Sequence, residues 1–234
     1  MSVAASSPQG QHRAGVSPRF EQLAIDGGPG RRVGAPLVMT AHHGDNDAVI
    51  AAAARLYIPD GAIGIDATWG RGNFWRRTDT TRFRLTGLDL FAPAPIRGDF
   101  RSLPFLSSSA DVITLDPPYV ANSGRSRVTE ARYRNAETSP AGSHRDVIGL
   151  YRAGMAEAYR VLRPGGTCWV KCQDTVEGRQ QKWAMITLHG VALELGYAPQ
   201  DMFILVNPQP PGRHDADRQF HARRNHSYLW VFAK

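Results

Sequence analysis

Cysteine is nearly missing from these 234 residues: Cys168 and Cys172 are the only two, and both sit in an apolar stretch. Neither a disulfide framework nor a cysteine zinc site is supported, so both are expected to be reduced core thiols. Long apolar runs are missing as well. Nothing in the chain approaches the roughly 18 consecutive apolar residues of a membrane-spanning helix, and the mean hydropathy is -0.35. The opening MSVAASSPQGQHRAG has no apolar segment behind a basic start, so no secretory signal is expected and a cytoplasmic location is the default. Acidic residues are the minority, 21 Asp and Glu against 28 Lys and Arg, which leaves a net charge of +7. That surplus permits an anionic partner such as nucleic acid, although charge alone identifies none.

With 42% hydrophobic residues the chain can bury a core of ordinary domain size. Residues 1 to 35 are rich in Gly, Ser, Pro, Gln and Arg and are expected to form a flexible arm, leaving 36–234 as one folded domain. The segment NDAVIAAAARLYI from Asn46 reads as a helix stopped by Pro59, Asp60 and Gly61. AIGIDAT then reads as a strand buried on both faces. Strand-like runs recur at RLTGLDL, ADVITLD and GTCWVKC, with a helix, RDVIGLYRAGMAEAYRVL, before the last. Its Ile148, Tyr151, Met155, Tyr159 and Leu162 fall at spacings of three and four and predict one apolar stripe. A second helix is expected over roughly 179–195, followed by strands at MFILVN and HSYLWVFA. Strands alternating with helices predict a mostly parallel α/β sheet, and the last pair, with no helix between, predicts an antiparallel edge strand.

Four segments carry candidate chemistry. Asp66, Thr68, Gly70 and Gly72 belong to a short glycine loop after the first strand of the alternation, where a backbone turns sharply and approaches a ligand. Trp75 stands where the third glycine of a dinucleotide fingerprint would be, so a pyrophosphate seat is disfavoured. Asp89 ends the next strand at the distance expected of an acid that accepts ribose hydroxyls. Asp99 and Phe100 follow a further short strand; alone, Asp99 reads as a turn residue, and in this order it is placed to meet an adenine amino group with Phe100 against the ring. Asp116, Pro117, Pro118 and Tyr119 follow the apolar strand ADVITLD directly. The prolines cannot donate to a ladder, so the strand stops and nearby carbonyls stay free to accept. A carboxylate, a fixed carbonyl and an aromatic ring together suit an exocyclic amine on a planar ring.

With these residues in order, the chain resembles the class I methyltransferases that use S-adenosylmethionine, and within them the amino-methylating DNA enzymes, over residues 36 to 234. The resemblance implies a Rossmann-like, seven-stranded, mostly parallel sheet in a single domain. It makes 66–72 the methionine-binding loop, Asp89 the ribose acid, Asp99 and Phe100 the adenine contact, and Asp116 to Tyr119 the catalytic signature, with adenine N6 in DNA the first expected target. It also implies that residues 36–40 lie against the methionine end of the cofactor. The family's loop is commonly Asp-Pro-Phe-x-Gly-Ser-Gly, and Ala67 to Gly72 depart from it. The spacing from Gly72 to Asp116 leaves no room for a separate target-recognition domain.

Two basic loops are candidates for the nucleic-acid surface: Arg125, Arg127, Arg132 and Arg134 in the first, Arg213, Arg223 and Arg224 in the second. Solvated loops without a specific partner remain the alternative. Lys171, Gln173 and Asp174 close another strand, either lining the pocket or forming an ordinary polar strand end. His42, His43 and Asp45 lack a fourth ligand at telling spacing, so no metal is expected. The rival readings are methylation of RNA at guanine N2 or adenine N6, methylation of a protein glutamine amide, and a catalytically inactive fold that binds nucleic acid.

Overall fold

In a computed structural model, residues 37–119, 143–207 and 219–234 are described. The predicted arm and Arg125, Arg127, Arg132, Arg134 and Arg213 lie outside these residues. Eight strands form one sheet: β1 (Ala41–His43), β2 (Ile63–Asp66), β3 (Arg84–Asp89), β4 (Ile96–Arg97), β5 (Ala110–Leu115), β6 (Leu162–Cys172), β9 (Ala198–Val206) and β10 (His226–Ala233). Their spatial order is β1-β9-β10-β6-β5-β2-β3-β4. Every pairing is parallel except the two that β10 makes, with β6 and with β9.

The mostly parallel α/β sheet expected from the alternating pattern is present. Two details differ. The sheet has an eighth strand, and the reversed strand lies inside it rather than at its edge. The reason is local: the 41–43 segment pairs with β9 from Ala41↔Ile204 to His43↔Val206, so β9 is covered on its outer side and β10 fills the gap towards β6. The same pairing carries residues 37–40 to the edge farthest from β2, rather than beside the glycine loop.

Helix α1 (Asn46–Tyr57) covers one face of the sheet, while α2 (His144–Val161) and α3 (Ala184–Glu194) cover the other. On α2 the buried stripe is Val147, Tyr151, Gly154, Met155, Ala158 and Val161. Tyr151 and Met155 match the predicted stripe, but Ile148 and Tyr159 sit at its margin, because small Gly154 and Ala158 let the helix settle closer to the sheet along their line. The second predicted helix is shorter than its pattern suggested. Residues 175–182 form a hairpin of β7 (Thr175–Glu177) and β8 (Gln180–Lys182) instead. Its two-residue turn, Gly178 and Arg179, has positive φ at both positions, which matches the twist of a hairpin and interrupts a helix. Asp174 then accepts from the Met185 N–H at the start of α3, at 3.0 Å.

Between β2 and β3 there is no α-helix, only two 3-10 turns, Asn73–Trp75 and Thr80–Arg82. The space is occupied by aromatic side chains. Trp75 is buried and stacks on Trp169 with ring centroids 6.3 Å apart. Trp69 lies across two glycines: a Cβ on Gly72 would come within 2.7 Å of its ring, and one on Gly87 would overlap it outright.

Gly87 is therefore required by the ring of Trp69 lying against it, not by its own backbone angle. We expect Gly87→Ala to destabilise the protein by about 1–3 kcal/mol, the usual cost of overpacking. Trp69→Leu in the same chain should recover part of that loss. A denaturation midpoint unchanged by Gly87→Ala would contradict this packing.

Candidate active site

Four parallel strands, β5, β2, β3 and β4, end side by side at one edge of the sheet. Chain order fans out from β2 to β3 and β4 on one side, then restarts with β5 on the other, so the loops after β2 and β5 part at a topological switch point. Ligands of open α/β sheets bind in such crevices. All four predicted segments reach this region: 66–72 follows β2, Asp89 ends β3, Asp99 and Phe100 follow β4, and Asp116 follows β5.

Asp66 is buried and holds its own loop. It accepts from the Thr68 N–H at 3.1 Å and from the Trp75 indole N–H at 2.8 Å. The Thr68 hydroxyl oxygen in turn accepts the N–H of Asp116 at 2.7 Å. The glycine loop and the Asp-Pro-Pro-Tyr loop are thus tied through one threonine. Gly70 and Gly72 both have positive φ, 55° and 69°, and turn the chain between β2 and the 3-10 turn.

Asp89 has a structural task as well. One carboxylate oxygen accepts the Gly70 N–H at 2.8 Å; the other accepts those of Phe91 and Ala92 at 2.9 and 2.8 Å. Of the roughly four acceptor positions of a carboxylate, one remains. Asp99 is engaged by the Arg101 guanidinium, with Nε 3.0 Å from each carboxylate oxygen, and this pairing holds its pKa low. Phe100 packs against α2, where a Cβ on Gly154 would come within 2.6 Å of its ring. These three residues stand at the crevice, but much of their capacity goes into the fold.

Asp116 is different. Its Oδ1 is sealed from solvent and has no hydrogen-bond partner. Burial pushes its pKa up to about 7; Lys171 pulls down against this, Asp66 pushes further up, and a bond from Tyr119 pulls down. Burial likewise lifts Asp66 to about 6, against the bonds from Trp75 and Thr68. Carboxyls raised towards neutrality by burial beside charged neighbours in a cleft are candidates for proton handling. Pro117 is buried, Pro118 exposed and Tyr119 half-buried. The Tyr151 hydroxyl donates to the Lys171 carbonyl at 2.7 Å and lies 3.5 Å from the Pro117 carbonyl, fastening this loop to β6 from the α2 side.

Lys171, one of the two readings left open by the sequence, is fully buried, as is Asp174. Gln173 donates to the His226 carbonyl at 2.8 Å. Tyr151 and Ser227 enter the site without a motif to announce them; the available signal was Lys171 itself, a charge inside the otherwise apolar run CWVKC. Of the predicted basic residues, Arg223 and Arg224 are described; Arg223 is exposed and Arg224 half-buried, in the loop before β10. The phenylalanine of that loop, Phe220, is 58% exposed with the Arg179 guanidinium 4.8 Å from its ring centre.

No family model and no curated protein matches the chain by sequence. Solved structures do match in fold. A provisionally named methyltransferase in complex with the Trm112 methyltransferase activator of Haloferax volcanii is 16% identical, with a TM-score of 0.51 over 80% of this chain and 88% of that one. The 1,6-didemethyltoxoflavin-N1-methyltransferase of Burkholderia thailandensis, solved with S-adenosylhomocysteine, is 13% identical, with a TM-score of 0.49 over 81% and 76%. A provisionally named DNA modification methylase of Thermus thermophilus, solved with S-adenosyl-L-methionine, is 20% identical, with a TM-score of 0.40 over 58% and 53%. At these identities the likeness is one of fold, the Rossmann-like sheet of class I methyltransferases.

Both raised carboxyls have folded-state pKa values above their ordinary ones. The folded chain therefore holds more protons than the unfolded chain between about pH 4 and 7, and these two groups withdraw stability as pH rises through that window. Carboxyl-resolved NMR should show two side chains titrating near 6 and 7, the second missing in Asp116→Asn, with Asp99 titrating below an ordinary aspartate. A spectrum with every carboxyl ionised by pH 5 would contradict the sealed geometry.

Proposed function

We propose that this chain is a methyltransferase that uses S-adenosylmethionine and methylates an exocyclic amine of a nucleobase, with adenine N6 in DNA as the leading target. The observation that carries the reading is the seating of Asp116 to Tyr119 at the switch point, with a buried carboxylate oxygen left unpartnered and the backbone pinned by Thr68. An unpaired acceptor in a sealed place is costly unless a donor arrives to use it. An amine hydrogen is such a donor.

The crevice fits the cofactor in part. Gly70 and Gly72 keep the loop after β2 free of side chains, and Asp89 retains one acceptor position for a ribose hydroxyl. Asp99 is held by Arg101, so an adenine contact at this turn falls to the backbone or to a rearranged pair. Bound there, the cofactor supplies a methyl group on a sulfonium sulfur. The chain does the rest. Asp116 accepts one amine hydrogen and the Pro117 carbonyl the other, drawing the nitrogen towards a tetrahedral shape that frees its lone pair. Tyr119 stacks on the ring and replaces the stacking lost when a base leaves a duplex. The freed lone pair would take up the methyl group, with the neutral thioether as the leaving group. The methylated nitrogen is then cationic and releases one hydrogen as a proton, for which ionised Asp116 stands ready before solvent takes it.

In this reading 36–234 act as one catalytic domain and the cofactor is its only small-molecule requirement. The basic residues, including Arg213, Arg223 and Arg224, hold phosphates and set position rather than sequence. Among the described residues no helix is long and apolar enough to cross a membrane.

Labelled methyl transfer to unmethylated DNA, to RNA and to protein, followed by nucleoside analysis, tests the reading; N6-methyldeoxyadenosine is the expected product. Label confined to RNA or protein would replace the substrate. We expect Asp116→Ala to reduce transfer by roughly 10²–10³-fold or more while sparing cofactor binding, the size of loss seen when a preorganised transition-state partner is removed. Retained transfer would end its assigned role. Neutralising Arg213, Arg223 and Arg224 together should weaken DNA binding at all sequences and lower the salt slope by about one for each phosphate no longer neutralised. An unchanged slope would remove them from the interface.

A further inference from the structure

The face of the sheet under α1 carries a row of polar groups at its carboxyl edge, of which only Asp66 and Asp116 belong to the predicted motifs. Side chains alternate between faces along a strand. Val112 on β5, Trp169 on β6, and Leu229 and Val231 on β10 all belong to the core beneath α1. The residues two positions further towards the edge on the same face are therefore polar or charged ones: Lys171 follows Trp169, and Ser227 precedes Leu229. Leu115 pairs with Val170, so one step on, Asp116 stands beside Lys171. Asp66 lies on the next strand over. Across β2, β5, β6 and β10 the row reads Asp66, Asp116, Lys171, Ser227.

Lys171 is the unusual member. It is only 1% exposed, and a fully buried ammonium is rare without a partner. Its Nζ donates to the Ser227 hydroxyl at 2.5 Å and lies 5.9 Å from the centre of the Tyr119 ring. Among the described residues no carboxylate makes ion-pair contact with it. Ser227 thus holds the ammonium in place, beside Asp116 and facing the ring of Tyr119. That placement does not serve the core, which an aliphatic residue would fill at lower cost.

We propose that Lys171 is a positioning residue for methyl transfer: from its seat on Ser227 it supplies the buried positive charge that keeps Asp116 ionised in the crevice, and it steadies the Tyr119 ring above the target. The proposal rests on the reading of Asp116 as the amine acceptor. The titratable groups that face Asp116 are Lys171 on β6, Asp66 on β2, Tyr119 in its own loop, Tyr151 on α2 and Cys172 on β6. Asp66 opposes ionisation, the thiol and the Tyr151 phenol are held neutral by burial, and Lys171 is the only cation among them. Burial also pulls the Lys171 pKa down, and Asp116 works against that fall, so each charge supports the other. Excluding water from the crevice lowers the local dielectric and strengthens this mutual support.

The test does not depend on finding the substrate. In Lys171→Met, with Lys171→Gln as a second variant should Met disturb the fold, the Asp116 carboxyl followed by NMR should titrate at least about one unit higher than in the parent. Asp116→Asn marks its signal. A loss of packing alone would leave that titration where it is. In parallel, the acidic limb of the rate of methyl transfer against pH should move up by the same amount. The variant is then about tenfold slower at pH 6 and recovers towards the parent in alkali, with cofactor affinity unchanged. An unmoved titration overturns the proposal whatever the activity. A moved titration with no methyl transfer to any nucleic acid upholds the charge support and overturns the substrate reading instead.

Discussion

Thr68 gives its backbone N–H to Asp66, while its side-chain oxygen takes the N–H of Asp116. Through that one residue the loop after β2 and the loop after β5 become parts of the same hydrogen-bonded body. The body extends outwards on both sides. Asp66 is fastened to the indole of Trp75, which stacks on Trp169 in the core beneath α1. Gly70 is fastened to Asp89, whose other oxygen gathers the turn after β3. Tyr151 reaches from α2 to the β6 carbonyl behind the prolines. A carboxylate whose backbone is fixed from two sides can be aimed without reorganising when its partner arrives, which is where electrostatic assistance gains most of its effect.

This rigidity comes from an unusual stretch of chain. In place of a helix after the glycine loop there are two turns of 3-10 helix and two tryptophans, so no long helix presents its positive end to a ligand here. Trp69, itself a residue of the loop, packs its ring against Gly72 and Gly87, which are bare so that it fits. The departure of Ala67 to Gly72 from the pattern of the resembled family then has a physical meaning. The loop is shaped by aromatic packing and by carboxylates that accept backbone N–H groups, and less by glycines alone.

Much of this was legible before the fold was known. Strand positions followed from short apolar runs broken by Gly, Pro and Asp, and the order of acidic strand ends pointed to one edge of one sheet. What escaped the pattern did so for identifiable reasons. The hairpin at 175–182 sits in a run of helix-compatible residues, and only two consecutive positive φ angles at Gly178 and Arg179 decide against the helix. The place of β10 inside the sheet depends on β1, three residues too short to carry a periodic signal. The duties of Asp89 and Asp99 within their own loops depend on backbone N–H directions and on the nearness of Arg101, neither of which composition reveals. Lys171 was read with Gln173 and Asp174 as either a pocket lining or an ordinary polar strand end, and deciding between the two needed the neighbouring strands.

The interior position of β10 bears on how such a protein comes into being. A ribosome releases a chain in order, and β10 follows every other strand of the sheet in sequence. Until it enters, β6 and β9 each lack their neighbour, β1 and β9 form an isolated parallel pair, and Lys171 has no Ser227 to rest upon. The pairing of β10 with β6, from Tyr228↔Cys172 to Ala233↔Thr167, joins residues distant in sequence and forms slowly, and unpaired strand edges invite association while they wait. Closure of the sheet and completion of the charged row are therefore one event. A nascent chain can already carry its glycine loop and its Asp-Pro-Pro-Tyr turn while the seat of Lys171 is still missing, because Ser227 arrives with the last strand of the sheet.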